Sequence, residues 1–375
     1  MIEKIPYKIL TISWDPTLAM DNPDFGDAQE RNIEYGKGVE EIHSITHSKK
    51  SLGLGNKQLS DNVFVYPTNS KNQISFLFDA WKIAKRVCRE NEIGLVLTQD
   101  PFLTGIIGLL VKKKFKSKLL IHYHGDFWHN KNWVKEKWYN VALNVLQRFV
   151  LRSADALRVM SEGQKEKFLK TGWAENRVRV ISTPVDIKKY DTNNENKKTK
   201  IVLHVGRDDK VKDYDTLVKS FKMVKEKISD TKFSQVGADN KLKKEMKVND
   251  FEDIDVMGKK PANEIIDIYN KSAIFVLSST SESFGKVLVE ANAASKPVVS
   301  TTTTGAKEII ENGKNGFLVP IGDEEQMADK IIWLLENPRE AKEMGEYGRK
   351  LVEDRYGNNA DKIITFWKDI INFTN

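Results

Sequence analysis

Residues 274–290 read Ile-Phe-Val-Leu-Ser-Ser-Thr-Ser-Glu-Ser-Phe-Gly-Lys-Val-Leu-Val-Glu. The first four form a short apolar run, the pattern of a strand buried on both faces of a parallel sheet. A Ser/Thr cluster at 278–281 ends the run, and from Gly285 the pattern turns helical. The stretch therefore predicts a strand, a tight connection and a helix N-terminus. The first turn of a helix presents unpaired N–H groups and the positive end of its dipole. Gly285 lacks the Cβ that would keep a ligand off that backbone. Phosphate and sugar oxygens can dock on the N–H groups of Gly285, Lys286 and Val287. Glu290 lies one turn after Lys286 on the same helix face. A carboxylate there can accept both hydrogen bonds of a ribose diol, at roughly 1.5–3 kcal/mol for each charge-assisted bond.

The same alternation extends in both directions. Before this stretch, 8–14, 63–66, 94–98, 118–124 and 156–160 read as short strands, with amphipathic helices at 75–89, 102–112 and 133–151. Segment 191–200 has no apolar residue and reads as a linker. Beyond it, strand patterns recur at 201–205, 232–236, 254–257, 274–277, 297–300 and 316–320. Helices are expected at 214–228, 263–270, 285–294, 306–312 and 324–336, with a last amphipathic helix at 360–373. The fold class is α/β, with an N-terminal domain at 1–190, the linker, a C-terminal domain at 201–358 and a terminal helix at 359–375. Ligands of such sheets bind in the crevice at the carboxyl ends of the strands.

The length of 375 residues fits two domains. No apolar stretch is long enough to span a bilayer, and polar residues follow Met1 too soon for a signal peptide. With a single cysteine, Cys88, in a helical pattern, no internal disulfide can form. These features place the expected location in the cytoplasm. The net charge of +7 suits an anionic partner, although a surface filled with lysine gives the same balance. Two features leave a membrane reading open beside a core reading: the basic loop 112–118, and 129–152, where Trp133, Trp138 and Tyr139 lie among lysines. A peripheral position on the inner face of the cell membrane would follow from the first reading. No aromatic-plus-basic signature or known module points to nucleic acid.

A second motif stands apart in sequence. Strand 201–205 runs into Gly206-Arg207, and Lys212 follows. A diphosphate is a dense anion that needs either a divalent metal or fixed cations, and Arg and Lys supply the latter. Asp253-Ile-Asp255 has the look of a metal-binding pair but leads into a strand, and a strand edge explains it. His122, His124 and His129 lack the Cys or carboxylate partners of a metal site. Asp100-Pro101 reads as a helix start.

Glu282 and Glu290 have the spacing of the Glu-x7-Glu motif. With the preceding strand, Ser-Glu-Ser-Phe-Gly, and the downstream Lys296-Pro-Val-Val-Ser, the chain resembles the retaining glycosyltransferases of the GT-B fold, family 4 type (glycosyl transferases group 1). The resemblance covers both halves and is more specific in the second. It implies two Rossmann-like domains facing across a cleft, with a C-terminal helix crossing back to the N-terminal domain. It also implies that Glu290 holds the ribose, Glu282 lies near the transferred sugar, and Phe284-Gly285 contact sugar and phosphates. Arg207 and Lys212 would hold the diphosphate without a metal or other cofactor. His124, at the end of strand 118–124, would face the transferred sugar; a histidine satisfied by hydrogen bonds at a strand end is the plainer alternative. The implied reaction moves a hexose from a nucleotide-diphosphate sugar to a glycan or lipid-linked acceptor. A nucleotide-sugar epimerase on the same fold, or a non-catalytic nucleotide-sugar-binding protein, are the alternatives. The sequence departs from the family at Asp213, where Gly is common after the lysine. It departs again at Ala306 in Thr303-Thr-Gly-Ala-Lys-Glu308, and in loop 15–27, where Gly26 stands alone in place of a glycine-rich segment.

Overall fold

The computed structural model describes residues 4–21, 27–190, 200–238, 254–357 and 359–373. The chain divides into two compact units, Met1–Ser182 with Asn358–Asn375, and Thr183–Gly357.

The first unit runs β1 (Ile5–Ser13), α1 (Ala28–Gly36), β2 (Val39–Thr46), β3 (Lys57–Ser60), β4 (Val63–Pro67), α2 (Gln73–Glu90), β5 (Ile93–Thr98), α3 (Leu103–Phe115), β6 (Lys118–Tyr123), α4 (Lys131–Glu136), α5 (Asn140–Ser153), β7 (Ala156–Val159), α6 (Glu162–Leu169) and β8 (Val178–Val180). Among the described residues the strands form one sheet in the order β3-β4-β2-β1-β5-β6-β7-β8. All neighbours are parallel except β3 and β4. Helix α2 shows why the pattern folds this way: Phe76, Ala80, Ala84 and Val87 recur at helical spacing and bury one face against Leu10, Ile12 and Val96.

Several expectations change here. Strands β2, β3 and β8 were not legible. The helix expected over 133–151 is two helices. The break comes where Asn140 donates its side-chain amide to the Trp133 carbonyl at 2.7 Å, while the Trp133 ring packs at 5.7 Å from Phe102 and 5.1 Å from Phe127. The unit boundary falls after Ser182, not at 190, because Ile187 and Tyr190 are buried with the second unit and the Tyr190 ring lies 5.9 Å from that of Tyr269. Residues 191–199 of the expected linker 191–200 lie outside the described residues, as do Gly26 and Asp253.

The second unit holds β9 (Ile201–Val205), α7 (Tyr214–Lys227), β10 (Lys232–Val236), β11 (Ile254–Met257), α8 (Ala262–Lys271), β12 (Ile274–Leu277), α9 (Lys286–Ala293), β13 (Val298–Thr301), α10 (Thr304–Ile309), β14 (Gly316–Val319), α11 (Glu324–Glu336) and the unforeseen α12 (Pro338–Tyr356). Its described strands form an all-parallel sheet in the order β11-β10-β9-β12-β13-β14. Strand order reverses between β9 and β12, so this is the topological switch point, where such sheets open a crevice beyond their carboxyl ends. Helices α7 and α11 cover the sheet with Leu217, Phe221, Val224, Met327, Ile331 and Leu334. Asp255 is an exposed position on edge strand β11.

The terminal helix, α13 (Asn359–Ile371), belongs to the first unit. Ile363, Ile364, Phe366, Trp367 and Ile370 join Ile5, Ile9, Leu95 and Leu97 in one cluster. Gly38 permits the approach: a Cβ there would stand 2.7 Å from Ile364.

Candidate functional site

The two strands at the switch point deliver the two motifs to one place. After β12, the Ser278 hydroxyl donates to the Lys212 carbonyl at 2.6 Å and the Thr280 amide to the Val211 carbonyl at 2.8 Å. The segments leaving β9 and β12 are thereby stitched together. Lys212 and Glu282 form an ion pair, and the Ser279 hydroxyl donates to the same Glu282 oxygen at 3.0 Å. Both charged side chains are largely withdrawn from solvent, so bulk water screens them weakly.

Gly285 adopts φ +85°, a left-handed conformation that glycine takes without cost, and leads directly into α9. Behind it, the Gly305 amide donates to the Glu282 carbonyl at 2.9 Å. A Cβ on Gly305 would lie 2.4 Å from the Phe284 carbonyl oxygen, so the start of α10 packs flush on this backbone. Ala306, the departure from the family's second glycine, is fully buried and accommodated. The Phe284 side chain is also buried, edge-on to Tyr356 at 5.5 Å.

Glu290 is almost entirely buried and has a partner on each oxygen. Lys286 Nζ stands 3.3 Å from Oε1, and the Tyr269 hydroxyl donates to Oε2 at 3.2 Å. Tyr190 sits beside the same carboxylate. Burial, reinforced by Glu290, pushes both tyrosine hydroxyls well up, so they stay protonated and donate. Tyr269 also donates to the Val287 carbonyl at 3.3 Å, which ties α8 to the first turn of α9. Neither tyrosine was foreseen.

Arg207 is exposed, but its backbone is fixed. The Tyr214 hydroxyl donates to the carbonyls of Gly206 and Arg207 at 3.1 Å each, and Gln235 Nε2 to that of Gly206 at 3.0 Å. His204 lies beneath this turn. Burial, with Lys212 nearby, takes its pKa down to about 3, so it is a neutral ring. Asp213 resolves a second family departure. It holds φ +46°, the conformation a glycine would favour, and its carboxylate caps α7 by accepting from the Thr216 amide at 3.4 Å and hydroxyl at 2.7 Å. Its charge is directed at a helix N-terminus.

His124 lies in the first unit, after β6, whereas the other predicted site residues belong to the second unit. Its Nε2 is 2.7 Å from Gln99 Oε1. Burial, with Arg158 and Arg31, holds its pKa at about 3, so it works as a neutral hydrogen-bonding group. The Arg158 guanidinium stands 3.3 Å from His122 Nδ1, a poor setting for a metal cation. Among the described residues, no three His, Cys, Asp or Glu side chains gather as a metal site. Asp100 accepts from Trp14 Nε1 at 2.5 Å, the Phe102 amide at 2.6 Å and the Thr104 hydroxyl at 2.8 Å, a structural role at the entry to α3. Burial pushes the Cys88 thiol up to about 12, which makes it a core residue and a poor nucleophile.

Residues 186–351 match the family described as Glycosyl transferases group 1, and residues 41–189 match Glycosyltransferase Family 4. An uncharacterized glycosyltransferase of Methanocaldococcus jannaschii is 28% identical over 86% of this chain and 82% of its own length. Among solved structures, sucrose-phosphate synthase from Thermosynechococcus elongatus aligns with a TM-score of 0.82 at 20% identity, covering 97% of this chain and 99% of the other. The Anabaena protein HepE, crystallised with UDP and glucose, aligns at 0.75 with 18% identity, covering 97% and 100%.

Proposed function

Because the chain belongs to the glycosyl transferases group 1 and is a glycosyltransferase of the GT-B fold, we propose that it moves a hexose from a nucleoside-diphosphate sugar to a glycan or lipid-linked acceptor, with retention of anomeric configuration and without a metal. The observation that carries this reading is the meeting of Lys212, Glu282, Glu290 and the α9 N-terminus at the β9/β12 switch point.

In this reading the diphosphate lies over the start of α9, with Arg207 and Lys212 as its cations. As the bond between anomeric carbon and phosphate oxygen breaks, negative charge grows on the leaving diphosphate, and preplaced cations and N–H groups stabilise it there. Glu290 accepts from the ribose hydroxyls. Glu282 takes the hydroxyls of the transferred sugar, and Lys212 turns from Glu282 to phosphate when donor binds. His124, neutral, hydrogen-bonds the transferred sugar. The leaving phosphate oxygen accepts the acceptor's proton, so no further base is required. UDP-glucose is the first donor to try, since HepE was crystallised with UDP and glucose. The cytoplasm, where nucleotide sugars are available, is the proposed location.

The test is nucleoside-diphosphate release from a panel of UDP- and GDP-sugars in excess chelator. We expect one donor class to turn over at the same rate with and without chelator. Donor binding without turnover would make the chain a binding protein, and conversion of the donor to its epimer would make it an epimerase. Activity lost to chelator and restored by magnesium or manganese would overturn the metal-free site.

A further inference from the structure

Helix α5 has an apolar face that none of the described residues covers. Trp138, just before it, is 88% exposed, and Val141, Val145 and Phe149 follow at 56%, 66% and 56%. Steps of four residues put Val141, Val145 and Phe149 in one ridge, and Trp138 stands in the turn that leads into the helix. The opposite face of α5 is the buried one, with Gln147, Val150 and Leu151. The ridge is therefore surplus to the fold.

Its surroundings are basic. Arg148 and Arg152 are exposed on the same helix. The ammonium of Lys113, from the last turn of α3, lies 5.5 Å from the centre of the Phe149 ring, and Lys114 and Lys116 are exposed beside it in sequence. Lys112 is excluded from this rim because it pairs with Asp155 at 2.6 Å. Over residues 131–153 the acidic side chain is Glu136, against Lys131, Lys135, Lys137, Arg148 and Arg152.

We infer that the α5 ridge is a docking face for an anionic lipid surface. Trp138, Val145 and Phe149 enter the interface, and the basic rim meets the headgroups. An exposed apolar stripe with cationic flanks is the physical signature of a helix that lies in the plane of a membrane. No described helix is long and apolar enough to cross one. A second copy of the chain is the less fitting occupant, since an isologous contact would bring two such basic rims together. The inference supplies the partner for the lipid-linked acceptor proposed above but does not depend on the donor chemistry. Of the aromatic residues that pointed to a membrane in sequence, Trp133 belongs to the packed cluster with Phe102 and Phe127 and takes no part.

The experiment is co-sedimentation of the full chain with phosphatidylglycerol/phosphatidylcholine vesicles and with pure phosphatidylcholine vesicles. The expected result is binding to the anionic vesicles that weakens as salt is raised. Both V145S/F149S and R148E/R152E should lower partitioning at least tenfold, with the unfolding midpoint and donor turnover unchanged. Wild-type protein that stays in the supernatant, or binding that neither variant weakens, would overturn the inference. So would a wild-type dimer, seen by sedimentation velocity, that V145S/F149S dissociates, because the ridge would then face a second copy. Donor turnover by the same preparations separates a failed docking face from a failed active site.

Discussion

Glu290 keeps both carboxylate oxygens engaged in an almost fully buried setting, with Lys286 on one and Tyr269 on the other. A buried carboxylate without partners would be costly, so these neighbours satisfy its oxygens and fix its direction. Tyr269→Phe removes one donor and little volume. The net loss of such a bond is about 1 kcal/mol, which predicts a donor KM raised several-fold with kcat nearly kept. Steady-state kinetics on the preferred donor check this, and an unchanged KM would remove Tyr269 from the positioning of Glu290. The places of the glutamates, Arg207 and Lys212 after strands were legible in sequence because each follows a short run of mostly apolar residues that ends in breakers. Tyr190 and Tyr269 were not. Local pattern asks only for an apolar residue at those places, and the carboxylate that recruits Tyr269 lies 21 residues further on. The direct pairing of Lys212 with Glu282, 70 residues apart, was equally hidden.

At the level of elements, the second unit was the easier half to read. Its strands are short runs between clear breakers, wholly apolar in β12, and β9, β10, β11 and β12 lie where the pattern puts them. Strand β2 escaped because Val39-Glu-Glu-Ile-His-Ser-Ile-Thr46 mixes polar residues into a buried position; the Thr11 hydroxyl donates to the Ser44 hydroxyl at 2.8 Å to make that possible. The α4/α5 break escaped because no Gly or Pro marks it. Asp213 illustrates how an element can be started by an unexpected residue. It carries both a left-handed conformation and the α7 cap. Glycine would lose the cap but relieve the backbone, so Asp213→Gly should change stability by only a few tenths of a kcal/mol. Asp213→Ala loses the cap without relieving the backbone, a cost of about 1 kcal/mol. For a unit of this size that is a fall of roughly 2–4 °C in unfolding midpoint. A midpoint for Asp213→Ala equal to that of wild type would contradict the cap.

Across the whole molecule, each unit encloses a histidine that stays neutral. Burial, with Arg158 nearby, keeps the His122 pKa well below its ordinary 6.5, and burial with Lys212 holds His204 at about 3. The unfolded chain takes up a proton near pH 6.5 that the folded chain refuses, so stability is complete above that pH and falls as pH drops below it. At pH 5.5 each histidine costs on the order of 1 kcal/mol. Unfolding midpoints should therefore be lower at pH 5.5 than at pH 7.5, and His204→Leu should narrow the difference. A midpoint that holds or rises at pH 5.5 would contradict this.

The central claim is that the β9/β12 switch point of the second unit is a donor site whose cations and glutamates act together. Its most direct measurement is nucleoside-diphosphate release from the preferred donor by wild type, Lys212→Ala and Glu290→Ala, each shown to be folded by its unfolding midpoint. The account predicts a loss of about 10²-fold in kcat/KM for each variant, on the order of 3 kcal/mol. Near-normal turnover in both folded variants would contradict it.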